Sequence, residues 1–353
     1  MNLGDLFTSK AISLNWYEAA SNRLPYLGEG LFPAKKKMGL NLSWIKGYRG
    51  LPVSLMPSNF DAKPTFRDRI GVTKLDSEMA FFREAMIVKE KDEQEIMNVQ
   101  ESDSPYATEI LNRIFDDANT LIEGALVVPE RMRMQLISSQ GSPQIAITAN
   151  NLIYAYNYDP NGEFASNNYL ALTGTAKWSD TANSDPMTDI KNAQDKIEEN
   201  TGVRPSIAVM SRKTFNYLLK NEKIKSGILA QNITANIFMT DGILKAFLKE
   251  QLGVSIIVYT KKFKAENGTA SSFYPDDMCA LLPEGFLGST WFGTTPEERT
   301  GMQSGMQVSI VNTGIAVTVS RPNEVPLRTE TIASEIVLPS FERMDECFVM
   351  KVN

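Results

Sequence analysis

The 353-residue chain has no histidine and only two cysteines, and these scarcities remove most common chemistries before any motif is considered. Without histidine there is no Ser-His-Asp or Cys-His nucleophile pair, no HExxH zinc site and no histidine-ligated haem. Neither a GxxxxGKS/T phosphate loop nor a GxGxxG fingerprint occurs, so the main backbone cradles for nucleotide phosphates are missing too. Cys279 and Cys347 lie far apart in apolar settings, DMCALLP and ECFVMKV, which reads as two buried free thiols in a reducing cytosol. The opening MNLGDLFTSKAISLNWYEAA is broken by Asp5, Lys10 and Glu18, so it reads as neither a signal peptide nor a membrane anchor. A formal charge of −6 spread along the chain argues against a dedicated nucleic-acid binder.

What is present is structural patterning. At this length, with 42% hydrophobic residues, two lobes are expected in place of one compact ball. Residues 1–33 mix Phe7, Trp16, Tyr17, Tyr26 and Phe32 with Gly and Pro and show no long period, which reads as an arm needing a partner surface. Residues 34–75 are punctuated by Gly39, Gly47, Gly50, Pro52, Pro57 and Pro64. That frequency excludes a helix but allows extended strands at LNLSWI and LPVSLM, hence a long hairpin. An isolated two-stranded ribbon is marginal in water, so this one must lie on something.

The stretch Phe81 to Gln140 reads as the helical part. Phe81, Phe82 and Met86 lead into KEKDEQEIMNVQE, whose apolar positions Ile96, Met97 and Val99 allow a helix. Ser104 as cap and Pro105 at the first helical position then open the strongest helix of the chain. Ile110, Leu111, Ile114, Phe115, Ala118, Leu121, Ile122 and Ala125 recur at helical spacing through about Val128. The opposite face, Glu109, Arg113, Asp116, Asp117 and Glu123, reads as solvated, since neighbours along a helix diverge and cannot form a catalytic carboxylate pair. Pro129 is expected to kink or end the helix, with RMRMQLI resuming beyond it.

Gln144 to Tyr158 alternates around Asn150-Asn151, as a hairpin does. From Trp178 to Ser211 the local physics is legible residue by residue. Asp185 caps a helix with Pro186 at its first position; Met187, Ile190, Ala193 and Ile197 share one face; Gly202 and Pro205 end it; Ile207 and Val209 begin a buried strand. Ser211 caps a helix through Phe215, Leu218 and Leu219, and Asp241 another through Ile243, Leu244, Phe247 and Leu248, stopped by Gly253. VSIIVYT and MCALLP read as strands, and GFLGSTWFGTTPEERTG as turns between short strands. From Gln307 onward QVSIVNTGIAVTVSRP, RTETIASEIVLPSF and ECFVMKV are all strand-like.

The segments LGEGLFP, WSDTANSDPMTDI, NTGVRPSIAVMS, YPDDMCALLPEGFLGSTWFGTTPEE and EIVLPSFERMDECFVMKV, in this order and spacing, resemble tailed-bacteriophage major capsid proteins of the lambda E type. That resemblance covers nearly the whole chain. It implies an α+β chain of the Hong Kong 97-like capsid fold: an N-terminal arm (1–33), an extended hairpin loop (34–75) and a peripheral domain (76–184) with a spine helix over about 104–128. An inserted α/β axial domain (185–300) and C-terminal strands closing the peripheral domain (301–353) would follow. It further implies a subunit that assembles with itself as hexamers and pentamers into an icosahedral head enclosing double-stranded DNA. Scaffolding protein, portal and a decoration protein would be its other partners. Assembly would take place in the host bacterial cytoplasm, and the mature location would be the virion. No catalytic residue, cofactor, metal or membrane is implied.

The composition is compatible with that role. An arm and an unsupported hairpin could satisfy their aromatics by reaching across neighbours, which makes Trp16, Trp44, Tyr48 and Arg49 the candidate intersubunit residues. A mildly acidic wall should not adhere tightly to each phosphate it encloses. Lys35-Lys36-Lys37 and Lys261-Lys262 read as solvated loops. Lys46, Lys63 and Asn353 are not assigned to a lysine–asparagine cross-link, since no spacing reports the geometry that reaction needs. Asp180, Asn183, Asp185 and Asp189 are not a calcium loop, because two serve the helix start and the EF-hand glycine and glutamate are missing. The competing readings are an encapsulin-like nanocompartment shell of the same fold and, more distantly, a carboxylate-based hydrolase.

Overall fold

The computed structural model describes residues 8–20, 25–45, 74–88, 90–91, 94, 105–149, 152–231, 239–265, 268–304, 307–321 and 329–353. In chain order the elements begin with α1 (Ser9–Ala20), α2 (Leu27–Leu31), β1 (Ala34–Lys36), β2 (Asn41–Ile45), β3 (Lys74–Glu78) and β4 (Ala80–Val88). The long helix α3 (Pro105–Ile137) leads to β5 (Gln144–Ala149), β6 (Leu152–Asn157), α4 (Glu163–Asn167) and β7 (Tyr169–Ala171). Next come α5 (Pro186–Thr201), β8 (Ile207–Met210), α6 (Arg212–Lys220), α7 (Glu222–Gln231), α8 (Asp241–Leu252) and β9 (Ser255–Val258). The remainder is β10 (Lys262–Lys264), β11 (Ala270–Ser272), β12 (Met278–Leu282), β13 (Gly288–Phe292), α9 (Pro296–Ser304), β14 (Val308–Val311), β15 (Ile315–Ser320), β16 (Thr329–Phe341) and β17 (Phe348–Lys351).

The chain divides into two compact units. The first gathers Met1–Leu42, Asp76–Met132 and Ser289–Ser340 around a six-stranded sheet. Strand β16 organises it, because TETIASEIVLPSF is rich in β-branched residues and long enough to pair with β4, β13 and β15. Its registers run from Thr329 opposite Val88 to Val337 opposite Ala80, and from Glu330 opposite Ser320 to Ser334 opposite Ala316. One layer above lies a core in which Ile12 and Trp16 of α1 and Ala118, Leu121, Ile122 and Leu126 of α3 meet Val311, Ile315, Val317 and Ala333. Gly314 has no alternative here: a Cβ at that position would fall 2.0 Å from the Phe292 ring. Two first-turn glutamates of α9 fasten the unit from outside. Glu297 accepts from Ser334 Oγ at 2.6 Å and pairs with Arg83 at 2.5 Å, while Glu298 pairs with Lys36 at 2.7 Å.

The second unit gathers Ser43–Leu75, Arg133–Gly288 and Phe341–Asn353. Its five-stranded sheet has the order β7-β17-β12-β8-β9, parallel at both flanks and antiparallel on either side of β12. MCALL of β12 is buried along its whole length, as a central strand covered on both faces must be. Trp178, Ile190, Ala193, Ile197, Phe215, Leu218, Leu244 and Leu248 close over the sheet. Buried Gln194 donates to the carbonyls of Pro205 at 2.7 Å and Leu252 at 3.2 Å, which ties α5 to the segment entering β8 and to the end of α8.

Local chemistry explains most boundaries in this unit. Asp185 Oδ1 accepts the Thr188 amide at 3.1 Å with Pro186 beside it, Ser211 caps α6 through Thr214, and Gly202 and Gly253 end their helices at φ 73° and 68°. The cap of α8 is Thr240, whose hydroxyl accepts the Ile243 amide. Asp241, expected to be the cap, is the first helical residue and pairs instead with Arg212.

Other expectations are corrected too. Phe81, Phe82 and Met86 belong to a strand, β4, since pairing along nine positions of β16 outweighs the weak helical spacing there; KEKDEQEIMNVQE falls mostly outside the described residues. Pro129 does not end the spine helix, which continues to Ile137. Buried Leu126, Met132, Met134 and Leu136 on either side offset the one amide hydrogen bond the proline removes. PEERTG forms the helix α9, not a turn. The C-terminal strands divide: β14, β15 and β16 complete the six-stranded sheet, whereas β17 lies inside the five-stranded one. β13, placed by sequence with the inserted domain, is a six-stranded-sheet strand, and residues 133–184 group with the second unit.

Candidate assembly surfaces

The arm does not wait for a neighbour to bury its tryptophan. Thr8 Oγ1 accepts the Ala11 amide at 3.2 Å and starts α1, whose Ile12 and Trp16 are buried in the first unit's own core. Asn119 of the spine helix donates to Asn15 Oδ1 at 2.7 Å and fixes the helix laterally. The premise that the arm cannot bury its aromatics within one chain therefore fails at Trp16. What α1 turns outward is Leu14 and Tyr17, 58% and 51% exposed and one helical turn apart, with half-open Ile310 on β14 in the same unit. The Tyr17 hydroxyl accepts the Asn312 amide at 3.5 Å, so the ring is tethered although its face is wet.

Trp44, on β2, is likewise buried, its ring 5.2 Å from that of Tyr158 in the second unit. Burial, with Tyr156 nearby, pushes the Tyr158 phenol well above its ordinary range. Tyr48 and Arg49 lie outside the described residues, as do Lys46, Lys63 and the LPVSLM strand. β2 pairs with β3.

A second apolar face is carried by the hairpin β5–β6. Alternation puts Ile145 and Ile147 inward opposite Tyr156 and Tyr154, and Thr148, Ile153 and Ala155 outward. Gln135 of the spine helix binds both the carbonyl and the amide of Ala146, at 3.1 and 3.0 Å, which fixes the hairpin's angle. Ile153 is 70% exposed and Leu152 62%. Neither α1 nor this hairpin was singled out by spacing for its outward residues. The signal available was Leu152-Ile153 just after Asn150-Asn151, apolar side chains at a turn that does not need them.

Among the described residues no group of three acidic, cysteine or histidine side chains could hold a metal. Asp180 is occupied by Asn183, which keeps its carboxyl below the usual range. Burial would raise Asp185, but the Thr188 amide and Lys223 outweigh it. Burial raises Asp189, with the Trp178 indole N–H at 2.9 Å opposing. Asn353 accepts from Ser179 Oγ at 2.7 Å. Cys279 and Cys347 are free and buried; burial pushes the Cys279 thiol up to about 12 and Cys347 higher still, so neither is a thiolate at neutral pH.

The two sheet units thus have buried apolar cores, with Leu14, Tyr17, Leu152 and Ile153 left exposed. The chain belongs to the phage major capsid protein E family, whose model matches residues 18–351. Its mixed α+β architecture is shared with a solved prophage capsid protein. Among solved structures it is similar to the putative capsid protein of an Escherichia coli prophage, at 12% identity and TM-score 0.59, covering 98% of this chain and 99% of that one. A phage-related protein from Bordetella bronchiseptica is similar at 14% identity and TM-score 0.57, covering 98% and 97%. No curated protein sequence gives a significant match.

Proposed function

We propose that this chain builds the icosahedral head of a tailed phage, as hexamers and pentamers of itself around double-stranded DNA. The observation that carries this reading is the capsid family match across 18–351, in a chain whose cores are complete but whose α1 and β5–β6 present apolar side chains to water. Many such contacts per subunit add as a multivalent sum, so interfaces weak enough to anneal give a shell that holds. Self-assembly is the family's property; a scaffolding protein, a portal and a decoration protein are the further partners proposed. The subunit has no catalytic activity and needs no cofactor. It assembles in the cytoplasm of the bacterial host and ends in the virion.

The intersubunit residues are reassigned in part. Leu14, Tyr17, Leu152 and Ile153 take the roles first given to Trp16 and Trp44, while Tyr48 and Arg49 keep theirs. Purified protein, alone or with its scaffold, should give closed particles tens of nanometres across by analogy with the family, in light scattering and negative-stain images. A persistent monomer or dimer that turns over nucleotides, esters, peptides or glycosides would overturn the reading in favour of the hydrolase. An internal cargo-docking groove would favour the nanocompartment.

A further inference from the structure

The hairpin β10–β11 is too short to stand alone, since two strands by themselves are marginal in water, and the chain pins it at one face and at its turn. Phe263 has its ring centroid 4.8 Å from that of Phe273, which in turn lies 6.3 Å from Tyr259; Phe273 and Tyr259 are buried. The turn closes through the Ala265 amide to the Thr269 carbonyl and the Gly268 amide to the Ala265 carbonyl, both at 2.8 Å, with Gly268 at φ 80°. Alternation then sends Lys262, Lys264, Ala270 and Ser272 to the opposite face, where all four are exposed. Lys262, expected in a solvated loop, is thus a strand residue.

The register leaves that face without counter-charge. Lys262 stands opposite Ser272 and Lys264 opposite Ala270, positions where an exposed lysine gains from an acid. Among the described residues neither ammonium meets a carboxylate. Lys264 lies along its own turn, its Cε 3.9 Å from where a Cβ on Gly268 would sit, so its stem is partly ordered before any partner arrives. The chain carries −6 overall, so attraction for a polyanion has to come from a local excess of this kind.

The kind of polyanion follows from what the face lacks. An acidic protein or a lipid surface is gripped through apolar side chains beside the charges, and this face has none larger than Ala270. We propose that this face of β10–β11 is a footing for the phosphate backbone of duplex DNA. Lys262 and Lys264 neutralise phosphates, Ser272 Oγ donates to a phosphate oxygen, and no base is read. Lysines two apart on a strand are spaced about 7 Å, roughly two steps of the 3.4 Å rise of phosphates along one DNA strand. The proposal deepens the shell reading and rests on it for the DNA; two charges hold loosely enough that enclosed DNA still slides.

The test follows the fluorescence anisotropy of a labelled duplex titrated with purified subunit across a tenfold range of salt. Two neutralised phosphates steepen the log–log salt slope by about 1.8, so a tenfold rise in salt should weaken the wild type about sixty-fold more than Lys262→Gln/Lys264→Gln. Lys220→Gln/Lys249→Gln, which removes two exposed lysines from α6 and α8, should keep the wild-type slope. Both double variants should keep the wild-type melting temperature. The footing is overturned if the wild type does not bind at the lowest salt, or if the hairpin variant lowers the slope no more than the control pair does. Polyglutamate that displaces the duplex as readily, at equal charge, as unlabelled duplex does would also overturn it. Light scattering tests the shell reading separately. Particles without DNA binding leave the shell and remove the footing, whereas lysine-dependent binding without particles removes the shell and leaves the footing.

Discussion

In the five-stranded unit α5, α6 and α8 are fenced by residues within a few positions of their ends: Asp185 and Gly202, Ser211, Thr240 and Gly253. The six-stranded unit is closed by groups far apart in the chain. Glu130 accepts the Gly28 amide across 102 positions, Thr290 reaches the Phe32 carbonyl across 258 and Lys36 meets Glu298 across 262. Local fencing makes helix ends that tolerate trimming one at a time. Distant closure makes one in which a single misplaced atom is felt along the whole sheet.

The comparison can be broken most sharply at Ile122. Ile122→Asp places a charge in a fully buried site of the first unit and should cost about 5 kcal/mol. Calorimetry should show one transition lowered or lost while a second, from the five-stranded unit, keeps its temperature. Equal loss of both would show that the units do not unfold separately.

A pair of identical substitutions sharpens the same contrast. Gly314→Ala drives a methyl into the Phe292 ring and should cost about 3 kcal/mol. Gly253→Ala meets open space and pays only for its left-handed backbone, about 1 kcal/mol. Similar denaturation midpoints for the two variants would contradict the picture.

Smaller effects belong to the fences. Asp185→Ala should cost about 1 kcal/mol, measured in urea, with the m-value unchanged. Smallest of all is the pair between Lys213 and Asp277, 2.8 Å apart, with the Tyr217 hydroxyl also donating to the carboxylate at 2.9 Å. Burial opposes the Asp277 charge, but Lys213 and Tyr217 win and hold its carboxyl below the ordinary range. A lowered folded pKa means stability that is complete above the ordinary carboxylate range and lost as pH falls through the folded value. Lys213→Met should therefore cost less than about 1 kcal/mol at neutral pH, with the gap from wild type closing as pH falls below the ordinary carboxylate range.

Legibility follows the same divide. The caps, stops and buried faces of α5, α6 and α8 could be read from sequence because each depends on neighbours, and the one slip, Asp241 for Thr240, is a shift of a single position. β4 misled because FFREAM carries no period strong enough to announce a strand whose reason lies some 250 residues away, in β16. Trp16 misled for a related cause: the surface that buries it is assembled from α3, β14 and β15, which no local spacing reports. The outward side chains of α1 and β5–β6 became visible only once the inward ones were placed.

The position of β17 has a consequence for how the chain is made. Its Val349 amide bonds the Asn168 carbonyl, and it lies between β7 and β12 in the sheet. During synthesis β7 and β12 must therefore wait for residues 348–351 to leave the ribosome. For β7 that interval is roughly ten to forty seconds at bacterial elongation rates. Throughout it the sheet has a missing plank, and both bare edges can recruit a strand from another nascent chain. Ribosomes crowded on one message would bring such edges together, so chaperones that shield unpaired strands should raise the yield of soluble subunit. The five-stranded unit completes its surface only after residue 351 has emerged.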